Sequence, residues 1–140
     1  MAAVALAVGL AAFASASADA GVGVVSSSAK VHFACSKPNS AKIPCYFHTP
    51  DNSIRCVWTP HSLDVVCVKV ATRRGFVLHP KGKAGAVKVN LMHAGELLPT
   101  SQQIVFPKSL SCHDSKSSIT CNQDEGTGAF EISAKGSHSS

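Results

Sequence analysis

Two sets of residues in this chain could do chemistry: six cysteines and an uncompensated run of cations. Cys45, Cys56 and Cys67 stand at equal intervals of eleven residues, Cys35 precedes them, and Cys112 and Cys121 lie nine apart. None is close enough to another for a C-x-x-C redox pair or a metal knuckle, so what they offer is disulfide formation. The cations are Lys69, Arg73, Arg74, Lys81, Lys83 and Lys88. Between Val65 and Gly95 there is no Asp or Glu, so these six exceed the +5 of the whole chain and leave seven positives against eight negatives elsewhere. Such a ribbon attracts polyanions, for example anionic envelope polymers or acidic polysaccharide, with salt-sensitive affinity. The alternative is a solvated face that keeps the domain soluble. Nucleic acid fits poorly, because the one aromatic of the window, Phe76, alternates inward rather than offering a stacking platform.

Other candidates carry less. His32, His48, His61, His79, His93, His113 and His138 show no H-x-H or H-E-x-x-H spacing and read as exposed loop residues. Cys112 beside His113 has the composition of a nucleophile and its base, but neighbours in a strand face opposite ways. Asp124 and Glu125 lie in a polar turn with too few oxygens for a calcium loop. Trp58 shares the face of Cys56 and is expected to pack on a disulfide, with a sugar platform as the functional alternative. No G-x-S-x-G, S-x-x-K or glycine-rich phosphate loop is present, and neither catalysis, nor a metal, nor a cofactor is expected.

The elements that must position these residues are strands. Between Cys45 and Cys67 a proline-centred turn signal lies midway between each neighbouring pair of cysteines, as in a three-stranded meander. Folding at Thr49-Pro50-Asp51-Asn52 is expected to set Phe47 across from Ile54 and Cys45 across from Cys56. Folding near Pro60 sets Cys56 across from Cys67. Cys56 therefore has two candidate partners. The favoured pairing is Cys56 with Cys67, Cys112 with Cys121 and Cys35 with Cys45; the other joins Cys45 to Cys56 and leaves Cys35 for Cys67.

Further strands are expected at Val65–Ala71, around Phe76–Leu78, from Val87 towards Leu91, and at Gln103–Phe106, with at most a helical turn over Ala94–Leu98. A hairpin about Lys116 and Ser117 brings Cys112 opposite Cys121, and a last strand points Phe130 and Ile132 inward. No window of ten residues carries a helical stripe. A faint repeat is also visible: Cys56 to Cys67 followed by Gly75-Phe76-Val77-Leu78 parallels Cys112 to Cys121 followed by Gly128-Ala129-Phe130-Glu131-Ile132. It points to pseudo-symmetry within one barrel or sandwich.

The 140 residues, 45% of them hydrophobic, are enough for a single core. Residues 1–18 are uncharged, Ala-rich and end in Ala16-Ser17-Ala18, as in a secretory signal peptide without its basic start. Residues 19–31 read as a flexible linker, 32–134 as the β-domain and 135–140 as a disordered tail. Export suits the cysteines, since disulfides persist in oxidising compartments. No stable membrane span is expected after cleavage.

The runs F-H-T-P-D-N-S-I-R-C (Phe47–Cys56), V-V-C ending at Cys67, L-P-T-S-Q (Leu98–Gln102), L-S-C with I-T-C-N, and G-A-F-E-I-S (Gly128–Ser133) resemble a family of small exported actinobacterial proteins of unknown function. The resemblance spans about residues 47–133. It implies secretion and β-structure and brings no activity. The family's middle cysteine pair is missing here, and Cys35 and Cys45 stand upstream instead.

The expectation is therefore an all-β, disulfide-stapled antiparallel meander forming a sandwich or partly open barrel. It is secreted or held in the envelope. It is expected to act as a non-catalytic binding or structural module, with an anionic envelope polymer or another secreted protein as partner. A protein-directed inhibitor or receptor-binding module is the main alternative, and a small hydrolase a lesser one.

Overall fold

A computed structural model describes residues 43–107, 110–115 and 117–140. These form strands and no helix: β1 (Cys45–His48), β2 (Ile54–Thr59), β3 (Asp64–Lys69), β4 (Arg74–Leu78), β5 (Gly85–Lys88), β6 (Glu96–Leu97), β7 (Gln103–Phe106), β8 (Leu110–Asp114), β9 (Ser118–Gln123), β10 (Ala129–Ser133) and β11 (Ser137–Ser139). One sheet runs β5-β4-β3-β2-β1-β6 and the other β11-β10-β9-β8-β7. Of the two architectures expected, the sandwich is the one formed; neither sheet closes into a barrel.

Alternation builds the core. Along β2, Ile54, Cys56 and Trp58 are buried while the residues between them are half-exposed, and β9 and β10 repeat the pattern with Ile119, Cys121, Phe130 and Ile132. Period-two patterning of this kind puts every second side chain between the sheets. Cys56 bonds Cys67, and Cys112 bonds Cys121, each across a directly opposed pair with Cα atoms 4.1 Å apart. Bridges in small domains each contribute roughly 2–5 kcal/mol. Cys45 is also disulfide-bonded. The expected partner Cys35, the signal segment 1–18 and the linker 19–31 lie outside the described residues.

The faint repeat becomes a structural one. In the first sheet a single row crosses the strands as Phe47, Cys56, Cys67, Phe76 and Ala86. In the second the row is Ile104, Cys112, Cys121, Phe130 and Ser139. Strands β1 to β5 thus match β7 to β11 one for one, and β6 is an addition. The rows meet at the centre, where Cys67 Sγ lies 4.0 Å from Cys121 Sγ and the Phe76 and Phe130 rings stack 5.7 Å apart. Phe106 joins the sheets at the other end, stacked on Trp58 and tilted against Phe47.

Four expectations are corrected. The first hairpin pairs Phe47 with Cys56 and Cys45 with Trp58, two residues away from the expected register. The buried Thr49 hydroxyl accepts the Ile54 N–H (3.2 Å), so the loop holds four residues, Pro50 to Ser53, rather than two. A shift of two keeps every side chain on its face, so the core is unaffected. Secondly, β5 ends at Lys88, short of Leu91. Thirdly, in place of a helical turn, Glu96–Leu97 add to β1 as a short parallel strand. Fourthly, the tail expected to be disordered pairs with β10 as β11, and Ser140 accepts hydrogen bonds from the N–H groups of Ala84 and Ala129. A serine-rich tail buries no apolar face, but ladder bonds need only the backbone.

Candidate anion-binding cleft

The internal repeat creates two comparable openings between the sheets, one at the end of each half. The register decides their lining. One step beyond the Cys67–Phe76–Ala86 row come Lys69, Arg74 and Lys88, on three adjacent strands; Arg74 and Lys88 are directly opposed. Alternation puts all three on the face that carries Cys67, Phe76 and Ala86, so they point into the mouth of the sandwich instead of away from it. There they line a cleft of about 720 Å³ with Thr72, Gly75, Phe76, Ala86, Val87 and Ser137. Phe76 provides an aromatic floor, braced from below by Phe130. Ser137 reaches the cleft from β11 on the other sheet.

Every charged group in this lining is positive. Among the described residues the ion pairs are His79 with Asp64 (2.6 Å) and His138 with Glu131 (3.7 Å), so no carboxylate neutralises Lys69, Arg74 or Lys88. Like charges opposed across strands destabilise a sheet. By contrast Arg55, elsewhere on the same sheet, is engaged within the protein. Its guanidinium donates to Asn52 Oδ1 and to the carbonyls of Leu91 and Met92, tying down the segment after β5.

The second opening, about 560 Å³, is lined by Leu63, Pro80, Lys81, Gly82, Gln123, Glu125, Gly126 and Thr127. Gln123 stands where Lys69 stands in the first half, and Gly128 where Arg74 stands. Its buried amide Nε2 donates to the carbonyls of His79 (2.7 Å) and Gly82 (2.9 Å), and Oε1 accepts the Gly128 N–H (3.1 Å). That single side chain stitches the β4–β5 loop to the β9–β10 loop. Its hydrogen-bonding groups are taken up within the protein, and Gly128 is required because a Cβ there would lie 2.3 Å from the Gly82 carbonyl oxygen.

The six cations singled out in the sequence are thus divided. Lys69, Arg74 and Lys88 converge on one cleft. Lys81 lines the other opening, while Arg73 and Lys83 line neither. Arg73 occupies the β3–β4 turn with φ 59°. Sequence reasoning missed Thr72 and Ser137 as lining residues and assigned Phe76 only to the core. For Phe76 the signal was available, since a core residue one step from a strand end also floors whatever opens there.

The remaining candidates find structural places. Cys112 is buried and bonded, while His113 is exposed on the opposite face. Trp58 is 1% exposed and stacked on Phe106, which removes the sugar platform. Asp124 Oδ1 accepts the Ser111 hydroxyl at 3.0 Å as part of a polar turn. Among the described residues no three His, Cys, Asp or Glu side chains gather as a metal-ion site. Neither cleft brings two carboxylates, or a carboxylate and a histidine, together. Comparison of the chain with protein-family models, curated proteins and solved structures gives no match.

Proposed function

We propose that this protein is an exported binding module that holds anionic polymers of the cell envelope in the cleft between β3–β5 and β11. The observation that carries the reading is the row Lys69, Arg74 and Lys88, three uncompensated cations side by side over an aromatic floor. The fold does not need a cation at Lys69 or Arg74, because the matching positions of the other half are filled by a neutral, satisfied glutamine and a glycine. Cations kept together at a cost to the sheet are explained by an anion that arrives from outside. The signal-like residues 1–18, the family resemblance and the disulfides support an extracytoplasmic setting for that ligand.

The test is a salt-titrated binding assay on an immobilised anionic polymer, with two variants of equal net charge. Lys69→Gln/Arg74→Gln/Lys88→Gln is expected to lose about tenfold or more in affinity, from three exposed charge contacts of up to about 1 kcal/mol each. Arg73→Gln/Lys81→Gln/Lys83→Gln is expected to retain most of it. Equal losses would mean that net charge alone drives retention and would remove the cleft as a site.

A further inference from the structure

We infer that the polymer recognised in this cleft is an acidic polysaccharide with one carboxylate per sugar ring, and that three consecutive rings seat on Lys69, Arg74 and Lys88. The inference rests on the cleft reading and adds the ligand class. Its first ground is spacing. Adjacent strands lie about 4.8 Å apart, so the backbone positions that carry the three cations across β3, β4 and β5 follow one another in steps of about that length. The ring-to-ring advance of an extended pyranose chain is close to one such step.

The second ground is the floor. Phe76, Ala86 and Val87 offer apolar surface beneath the cations. A pyranose ring has an apolar C–H face to lay on it, and a bare phosphate chain has none. The third is the choice of cation. Two of the three are lysines, point charges suited to separate carboxylates, and only the central Arg74 offers the planar fork that pairs two oxygens at once. Thr72 and Ser137 add hydroxyls at the rim, able to donate to or accept from sugar hydroxyls. A cleft of about 720 Å³ lies within the range of sites that enclose small ligands.

The experiment is calorimetric titration of the full chain with oligogalacturonates of one to five rings, and with polyphosphate as the competing class. Affinity is expected to rise about three- to fivefold with each ring up to the third, and then to level. Phe76→Leu, which keeps an apolar side chain against Phe130, is expected to weaken trigalacturonate binding while leaving polyphosphate binding unchanged. If polyphosphate binds as tightly as the uronates and the Lys69/Arg74/Lys88 variant loses both, the cleft stands and the sugar assignment falls. A rise that continues through five rings, or equal affinity of one ring and three, also overturns the three-ring seat. If no anion binds, or the variant binds as well as the parent, the cleft reading fails and takes this inference with it.

Discussion

At equivalent places in its two halves the sandwich ends differently: Gln123 ties the loops around one opening together, while Lys69 and Arg74 line the other without a carboxylate partner. Lys69 and Gln123 each follow a disulfide-bonded cysteine by two residues, and Arg74 and Gly128 each precede a strand phenylalanine by two, so the register is shared and the side-chain chemistry differs. Gln123 gives its hydrogen bonds to three backbone groups of neighbouring segments. Lys69, Arg74 and Lys88 have no carboxylate partner among the described residues, and two of them face each other directly. A glutamine shows what the fold uses when stability alone is served. The cations show what it accepts when something else is.

The largest effect that would sharpen this contrast is expected at the opening stitched by Gln123. Gln123→Ala leaves the carbonyls of His79 and Gly82 and the N–H of Gly128 without their partner, and should cost about 2–4 kcal/mol in urea unfolding. Affinity at the cationic cleft should be unchanged. A stability loss within 0.5 kcal/mol, on the order of an ordinary surface substitution, would show that the stitch holds nothing.

At the cationic cleft the sign should reverse. Lys88→Glu places a carboxylate opposite Arg74 and should raise stability by about 0.5–1 kcal/mol while abolishing polymer binding. Opposite movement of stability and affinity is the mark of a site held at the expense of the fold. A variant that loses both would break the comparison.

The smallest effect concerns a third turn, between β1 and β2, where a charge serves structure alone. Asp51 accepts hydrogen bonds from the Thr49 hydroxyl and from the N–H and hydroxyl of Ser53. The Thr49 hydroxyl first, then the Ser53 N–H, hold its carboxyl below the usual carboxylate range. Because the folded value is lowered, the stabilisation is complete above the unfolded value of about 3.9 and disappears as pH falls through the folded one. For so exposed a group the difference between parent and Asp51→Asn should stay within about 0.5 kcal/mol. It should be present at pH 5 and shrink as pH falls below the ordinary carboxylate range. A difference that persisted unchanged there would rule out the carboxylate as its source.

Much of the frame was legible because it rests on side-chain patterns. Alternation marked Phe76, Phe130 and Ile132 as inward, and the equal reach of Cys56 and Cys67 about Pro60 set that hairpin. Where backbone bonds decided, the sequence was silent or misleading. Thr49 reads as the first residue of a tight Pro-centred turn, yet its buried hydroxyl closes a wider loop. The serine-rich end carries no strand pattern, yet β10 offers an open row of backbone groups and Ser137 to Ser139 take it. Of the candidate site, the cations were visible as a window without acids, but their division was not.

Composition, alternation and cysteine spacing by themselves determined an all-β body, the opposed Cys112 and Cys121, and an excess of positive charge between Val65 and Gly95. Which cations stand together was decided only when β3, β4 and β5 came into register and set Lys69, Arg74 and Lys88 in one cleft with Ser137 of β11. The physical reason is that a residue's face is written in local order, whereas its neighbours across strands depend on loop lengths and on what packs above.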